Sequence, residues 1–101
     1  MTKRDLVVRI ARQTGLKQRD VMNVVQLTLD TITNELSAGR GIEFRNFGVF
    51  EVKWRKARKA RDPRTGETMS VAARNVVVFR PGRALDDRLA QLPPADRQAV
   101  T

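Results

Sequence analysis

Over the first third of the chain, apolar residues recur every three or four positions, which is the period of an α-helix. Thr2, followed three residues later by Asp5, is typical of a helix N-terminus, and Gly15 supplies a stop. A second stripe with the same spacing runs from Val21 to Leu36 and ends at a glycine-containing segment. The pattern predicts a helical hairpin whose apolar stripe is hydrophobic core.

From Ile42 the hydrophobic period changes to two, which indicates β-strands. Ile42 and Phe44 alternate with charged residues, and the alternation resumes from Val49. The connection between them contains Asn46 and Gly48, two residue types that tolerate positive φ, so the segment predicts a tight β-hairpin.

The second strand then loses its apolar side. On an extended chain, one side would carry Lys53, Arg55, Lys59 and Arg61, and the other would carry Lys56 and Arg58. Turn-forming residues follow at 62–67, and a stretch rich in β-branched residues follows from Thr68. The two stretches predict one long ribbon, an arm over residues 53–75 with only its lower end near Trp54 leaning on the body. The alternative is that residues 53–67 form a disordered basic loop, because a solvated ribbon buries little surface to offset its ordering entropy.

After the second long strand, Pro81-Gly82 breaks the β pattern, and residues 83–89 predict a short helix with Leu85 and Leu89 four positions apart. Residues 91–101 contain little that could pack, so they are predicted to be a mobile tail. The expected architecture is therefore α+β: an N-terminal helical hairpin, a three-stranded antiparallel sheet with a long protruding β-arm, and a short C-terminal helix.

Composition narrows the functional classes. The 101 residues carry 20 Lys and Arg against 11 Asp and Glu, a net charge of +9, which predicts an anionic partner such as nucleic acid. No apolar run approaches the ~20 residues of a membrane span, and no signal-peptide pattern is evident, so a cytoplasmic protein without membrane contacts is expected. The absence of Cys and His removes the commonest nucleophiles, bases and metal ligands, so neither an enzyme nor a metal or other cofactor is expected.

The predicted arm and tail leave roughly 67 residues for a core, which is marginal because chains of about 60 residues bury only about 60% of their unfolded surface. Dimerisation is the expected remedy, and a two-fold dimer would present two arms to one ligand. The large side chains available for a shared dimer core are Phe44, Phe47, Phe50 and Phe79.

Four segments together resemble the HU and integration host factor family of histone-like bacterial proteins, over Thr2 to about Leu89. They are Thr-Gly-Leu at 14–16, Asn-Phe-Gly-Val-Phe-Glu-Val at 46–52, Arg-Asp-Pro-Arg-Thr-Gly-Glu at 61–67 and Phe-Arg-Pro-Gly-Arg at 79–83. The resemblance implies a DNA-binding domain over residues 1–90, two intertwined subunits, and arms that enter the minor groove of double-stranded DNA. It also implies a nucleoid-associated architectural role, in which DNA is bent and condensed with low sequence specificity.

By the same resemblance, Pro63 is the residue expected to intercalate at the arm tip, and Arg80 and Arg83 are expected to grip phosphates on the flank of the body. The full set of side chains expected to contact DNA is Arg45, Lys53, Arg55, Lys56, Arg58, Lys59, Arg61, Pro63, Arg64, Arg74, Arg80 and Arg83. Asp62 and Ala60 depart from the family, which usually has Asn and Gly there. We expect the Asp62 charge to weaken contacts between the tip and the phosphates.

Several alternatives stay open on the sequence alone. Arg45 fits a site-selective DNA bender like integration host factor, but it equally fits an ordinary surface position. The partner in the dimer is a second copy or a paralogue. A basic arm is also compatible with an RNA-binding protein, because A-form helices attract positive charge as well, or with a protein that coats DNA without bending it.

Overall fold

In the computed structural model, which describes residues 1–94, the N-terminal unit Met1–Ala38 consists of helices α1 (Lys3–Thr14) and α2 (Gln18–Ser37). The predicted N-cap is present in full. The Asp5 backbone N–H donates to Thr2 Oγ1 at 3.1 Å, and the Thr2 backbone N–H donates to Asp5 Oδ2 at 3.0 Å. Gly15 ends α1 in the left-handed conformation, with φ 74°, and donates its N–H to the Ala11 carbonyl.

The core of this unit is small. Among the described residues of the chain, the buried hydrophobic side chains are Val7, Ala11 and Val21, with Ile10, Met22 and Val25 packed against them. The predicted stripe of α2 is therefore only partly core, because Val24 is 64% exposed. A core of this size buries little apolar surface in one chain.

The second unit begins at Gly39 and contains a three-stranded antiparallel sheet. Its strands are β1 (Ile42–Phe44), β2 (Gly48–Arg55) and β5 (Arg74–Pro81), in the order β1-β2-β5. The predicted hairpin between β1 and β2 is confirmed. Its turn is closed by the Phe47 N–H donating to the Phe44 carbonyl at 2.9 Å, and Asn46 adopts φ 69°.

Gly48 serves a different purpose from the one predicted. It does not adopt a positive φ; instead, it is buried where β5 approaches closely. A Cβ at this position would lie 2.5 Å from the Phe79 ring and 2.6 Å from the Arg80 carbonyl oxygen. Only a residue without a side chain allows the two strands to pair at this point.

The arm is a separate two-stranded sheet, formed by β3 (Arg58–Arg61) and β4 (Thr68–Val71). The long ribbon predicted for the arm is interrupted at residues 56–57 and 72–73, which belong to no strand. The register nevertheless continues across the gap, from Arg55 opposite Arg74 to Arg58 opposite Val71, so the interruption contains two residues on each strand and no bulge. Three of those four residues are alanines, which pack poorly across a sheet and have low strand propensity.

The predicted C-terminal helix is confirmed as α3 (Arg83–Ala90). It lies against β5, and the Gly82 N–H donates to the Phe47 carbonyl at 2.8 Å, which ties the start of α3 to the β1–β2 turn. Of the predicted mobile tail, residues 95–101 lie outside the described residues. Within residues 1–94, no helix has both the length and the apolar character that crossing a bilayer requires.

Candidate nucleic-acid interface

The sheet of the second unit has one aromatic face. Ile42 lies opposite Phe50, and Phe50 lies opposite Phe79, so these side chains project to the same side. The ring centroids of Phe50 and Phe79 are 4.9 Å apart, and Phe47 from the turn joins them at 5.3 Å from Phe79. Phe44 meets Phe50 edge-on at 6.2 Å. The predicted aromatic set is therefore one cluster, yet Phe47 remains 49% exposed in the single chain.

The other face of the same sheet is cationic. Alternation along β2 places Glu51, Lys53 and Arg55 on the side opposite to Phe50, and the register places Arg74 and Arg80 of β5 beside them. Arg55 lies directly opposite Arg74, an arrangement of like charges that costs stability unless an anion lies between them. The face is thus suited to a polyanion.

Within this face, Glu51 is paired with two of the cations. Its Oε2 lies 3.3 Å from Arg80 Nε and 3.7 Å from Lys53 Nζ. Sequence reasoning missed this residue. The signal available was the alternation along β2, which places position 51 on the same side as positions 53 and 55.

The interruption between the two sheets forms an open concave surface with a volume of about 510 Å³. It is lined by Arg55, Lys56, Arg58, Val71, Ala72, Arg74 and Val76. Four of these seven side chains are cationic and none is acidic, and a concave, single-sign surface concentrates counterions. The root of the arm is therefore a strongly positive part of the second unit.

Beyond this point, the arm presents its remaining cations to solvent. Lys59 and Arg61 pair with Ser70 and Thr68, whereas Arg58 lies opposite Val71. Two-residue alternation puts Lys59 and Arg61 on one side of the arm and Arg58 on the other. All three basic side chains are exposed, and basic charge is available on both sides.

The arm tip is an ordered turn around Asp62. The Asp62 N–H donates to the Glu67 carbonyl at 2.8 Å, and the Gly66 N–H donates to the Asp62 carbonyl at 2.7 Å. The Asp62 carboxylate accepts the Arg64 backbone N–H at 2.9 Å, which is the turn-capping contact expected of Asp at this place. Between them, Pro63 is exposed at the apex.

Two predicted contact residues lie apart from the sheet face and the arm. Arg45 is exposed in the turn between β1 and β2. Arg83 is the first residue of α3, and its Nε lies 4.0 Å from Asp87 Oδ2. The lower end of the predicted arm, near Trp54, is part of the main sheet, because residues 53–55 pair with β5, although the Trp54 side chain is 62% exposed in the single chain. The predicted DNA contacts themselves stay a prediction, which is supported by the placement of the other predicted cations on the sheet face and on the arm.

Comparison with known proteins gives consistent relatives. Residues 1–90 match the family described as bacterial DNA-binding protein. The chain is 41% identical to DNA-binding protein HU of Geobacillus stearothermophilus over 87 residues, which are 86% of this chain and 97% of that protein.

Solved structures of HU proteins also match most of this chain. The structure of Anabaena HU cocrystallised with DNA has a TM-score of 0.78 and 32% identity, and the match covers 91% of this chain and 100% of that one. The structure of HU from Thermotoga maritima has a TM-score of 0.63 and 29% identity, covering 88% and 98%. On the sequence match over residues 1–90 and on this shared fold, the chain belongs to the family of bacterial DNA-binding proteins.

Proposed function

We propose that this protein binds double-stranded DNA, largely through the minor groove and with low sequence specificity, and bends it as an architectural protein of the bacterial nucleoid. The observation that carries the proposal is the cationic sheet face, which continues into an arm with exposed basic residues and an exposed proline at its apex. The family match and the DNA-bound HU relative support it. The protein acts by binding in the cytoplasm, without catalysis.

The binding step is electrostatic. Lys and Arg side chains of the sheet face and arm neutralise phosphates and release condensed counterions, which supplies most of the affinity in sequence-independent binding. Bound DNA stabilises the directly opposed pair Arg55 and Arg74 more than the other cations, because a phosphate placed between the two guanidinium groups removes their mutual repulsion. The root of the arm is therefore a principal phosphate contact.

The arm tip bends the DNA. Pro63 has a rigid apolar ring and no backbone N–H, so it can enter a base step without leaving a donor unpaired. Unstacking a step costs on the order of a few kcal/mol, which is recovered when the bent duplex reaches more of the basic surface. Minor-groove edges of A·T and T·A pairs look alike, so the preference among sites comes mostly from groove width and deformability.

The working unit is a dimer. In the single chain, the aromatic face of the sheet is covered incompletely, with Phe44 and Phe79 each 37% exposed and Val77 55% exposed. A monomer rarely leaves an apolar patch of this kind in water, whereas a second copy packed on this face completes the core. Two chains then present two arms, and twice the charge of +9, to one duplex.

Ring closure of short linear DNA fragments tests the proposal directly, because it detects bending by a protein that has no fixed binding site, and double-stranded RNA is added as competitor. The expected result is faster closure of the fragments in the presence of the protein, with RNA competing weakly. Unchanged closure of fragments that the protein has bound would indicate a protein that coats DNA without bending it. Equal competition by RNA would indicate a shape-independent polyanion binder, and either result would contradict the proposed function.

A further inference from the structure

Glu51 is the acidic side chain in the midst of the cationic face formed by β2 and β5. It lies opposite Val78, with Lys53 two residues along the same strand and Arg80 diagonally across. Its carboxylate is near both, at 3.3 Å from Arg80 Nε and 3.7 Å from Lys53 Nζ, and its side chain is 33% exposed. This partial burial reduces the screening of both ion pairs by solvent.

We propose that Glu51 is an internal competitor for DNA phosphates, which holds Arg80 and Lys53 in the free protein and limits affinity. The inference rests on the proposed function, because it assigns a role in the DNA-binding face. A carboxylate and a phosphate use the same guanidinium donors. DNA therefore has to displace Glu51 from Arg80, and it then places phosphates near an uncompensated negative charge.

The consequence is measurable in Glu51→Gln, which keeps the shape of the side chain and removes its charge. With both cations released in each of two chains, we expect affinity for a linear duplex at about 0.1 M salt to rise about three- to thirty-fold. Each chain gains about one net positive charge towards DNA, so the slope of log affinity against log salt should become steeper by about two per dimer.

Glu43→Gln is the matched control. Glu43 lies on the neighbouring strand β1, opposite Val49, and it is exposed. Among residues 1–94, Glu43 forms no ion pair, so its substitution makes the same change in net charge without releasing a cation. A general effect of charge would raise affinity equally in both variants, whereas local competition raises it more in Glu51→Gln.

A second comparison tests whether Glu51 acts through Arg80. In an Arg80→Gln background, the gain from Glu51→Gln should shrink to the part that Lys53 supplies, which a double-mutant cycle measures. Thermal melting of each variant checks folding, and Glu51→Ala repeats the test if the glutamine variant melts at a markedly lower temperature.

The possible results separate the two proposals. If wild-type protein binds DNA but Glu51→Gln and Glu43→Gln raise affinity equally, or if the gain is unchanged in the Arg80→Gln background, competition by Glu51 is overturned while the proposed function stands. If the wild-type protein does not bind duplex DNA, the proposed function fails and this inference fails with it. A larger gain for Glu51→Gln that depends on Arg80 supports the inference.

Discussion

At the residue scale, two positions of the second unit have a side chain whose size or shape determines stability or function. Gly48 is buried against the Phe79 ring and the Arg80 carbonyl, and Pro63 is exposed at the apex of a turn whose hydrogen bonds come from its neighbours. The first position concerns stability and the second concerns function. Substitutions at the two should therefore separate folding from DNA bending.

Gly48→Ala should lower the free energy of unfolding by about 2–3 kcal/mol, because its methyl group would overlap the Arg80 carbonyl oxygen, a backbone atom held by strand pairing, as well as the Phe79 ring. Chemical denaturation at equal protein concentration measures the loss. Gly39→Ala is the control: Gly39 has φ 81° with open space around it, so only the cost of a left-handed alanine, about 1–2 kcal/mol, is expected. Equal losses in the two variants would contradict the steric reason given for Gly48.

Pro63→Ala should leave a folded dimer and most of the affinity for linear DNA, because the cations and the turn-closing hydrogen bonds are retained. It should reduce the bend angle and the preference for nicked or already kinked DNA, because the apolar wedge is removed. Ring closure of short DNA fragments, compared at equal occupancy, measures the difference. If Pro63 only fixes φ in the turn, closure rates will be the same for both proteins.

At the element scale, the arm is a short two-stranded sheet set off from the main sheet by two residues on each strand. Isolated two-stranded ribbons are marginally stable in water, since they bury little surface. The turn around Asp62 and the retained register give this arm its order. In the proposed function the arm carries positive charge to the DNA, and the salt dependence of binding tests that role.

Wild-type affinity should fall about 10³–10⁵-fold between 50 and 200 mM salt if the dimer makes roughly 6–10 phosphate contacts. Arg58→Ala should reduce the steepness of this dependence by about two per dimer, with little change in sequence preference. DNA titrations at several salt concentrations, followed by the fluorescence of the single tryptophan, Trp54, measure the salt dependence of the wild type and of the variant. Arg9→Ala, which removes an exposed charge from α1, is the control. A slope that is nearly flat in the wild type would rule out the electrostatic mechanism.

At the scale of the whole molecule, the question is how so short a chain remains folded. Among the described residues, three hydrophobic side chains are buried, and the aromatic face of the sheet is partly exposed to water. Such a chain buries too little apolar surface to offset its conformational entropy alone. Folding and association should therefore be one process.

The melting temperature should accordingly depend on protein concentration. For a folded dimer in equilibrium with unfolded chains, tenfold dilution should lower the melting temperature by about 3–6 °C. Differential scanning calorimetry over a hundredfold range of concentration measures the shift, and sedimentation gives the mass. A monomer in sedimentation that still melts cooperatively, at a temperature independent of concentration, would contradict an obligate dimer.

The sequence by itself determined the elements whose causes are local. Thr2, Asp5 and Gly15 specify the ends of α1 through hydrogen bonds and a backbone angle that involve only near neighbours. The two-residue period predicts β1 and β2, and Asn46 predicts their turn. The cationic character of β2 and the arm is also local, because alternation assigns a side to each residue once a strand is recognised.

The tertiary structure decided what depends on residues far apart in the chain. Gly48 is required by a strand that arrives some thirty residues later, so its role is invisible as local conformation. The break in the ribbon lies where alanines of the two strands are opposite each other. The sequence of either strand alone does not predict this pairing. Alternation along β2 places Glu51 on the cationic face, but only the register between β2 and β5 brings Arg80 diagonally across from it. Pairing between distant segments sets these contacts, and local periodicity does not encode it.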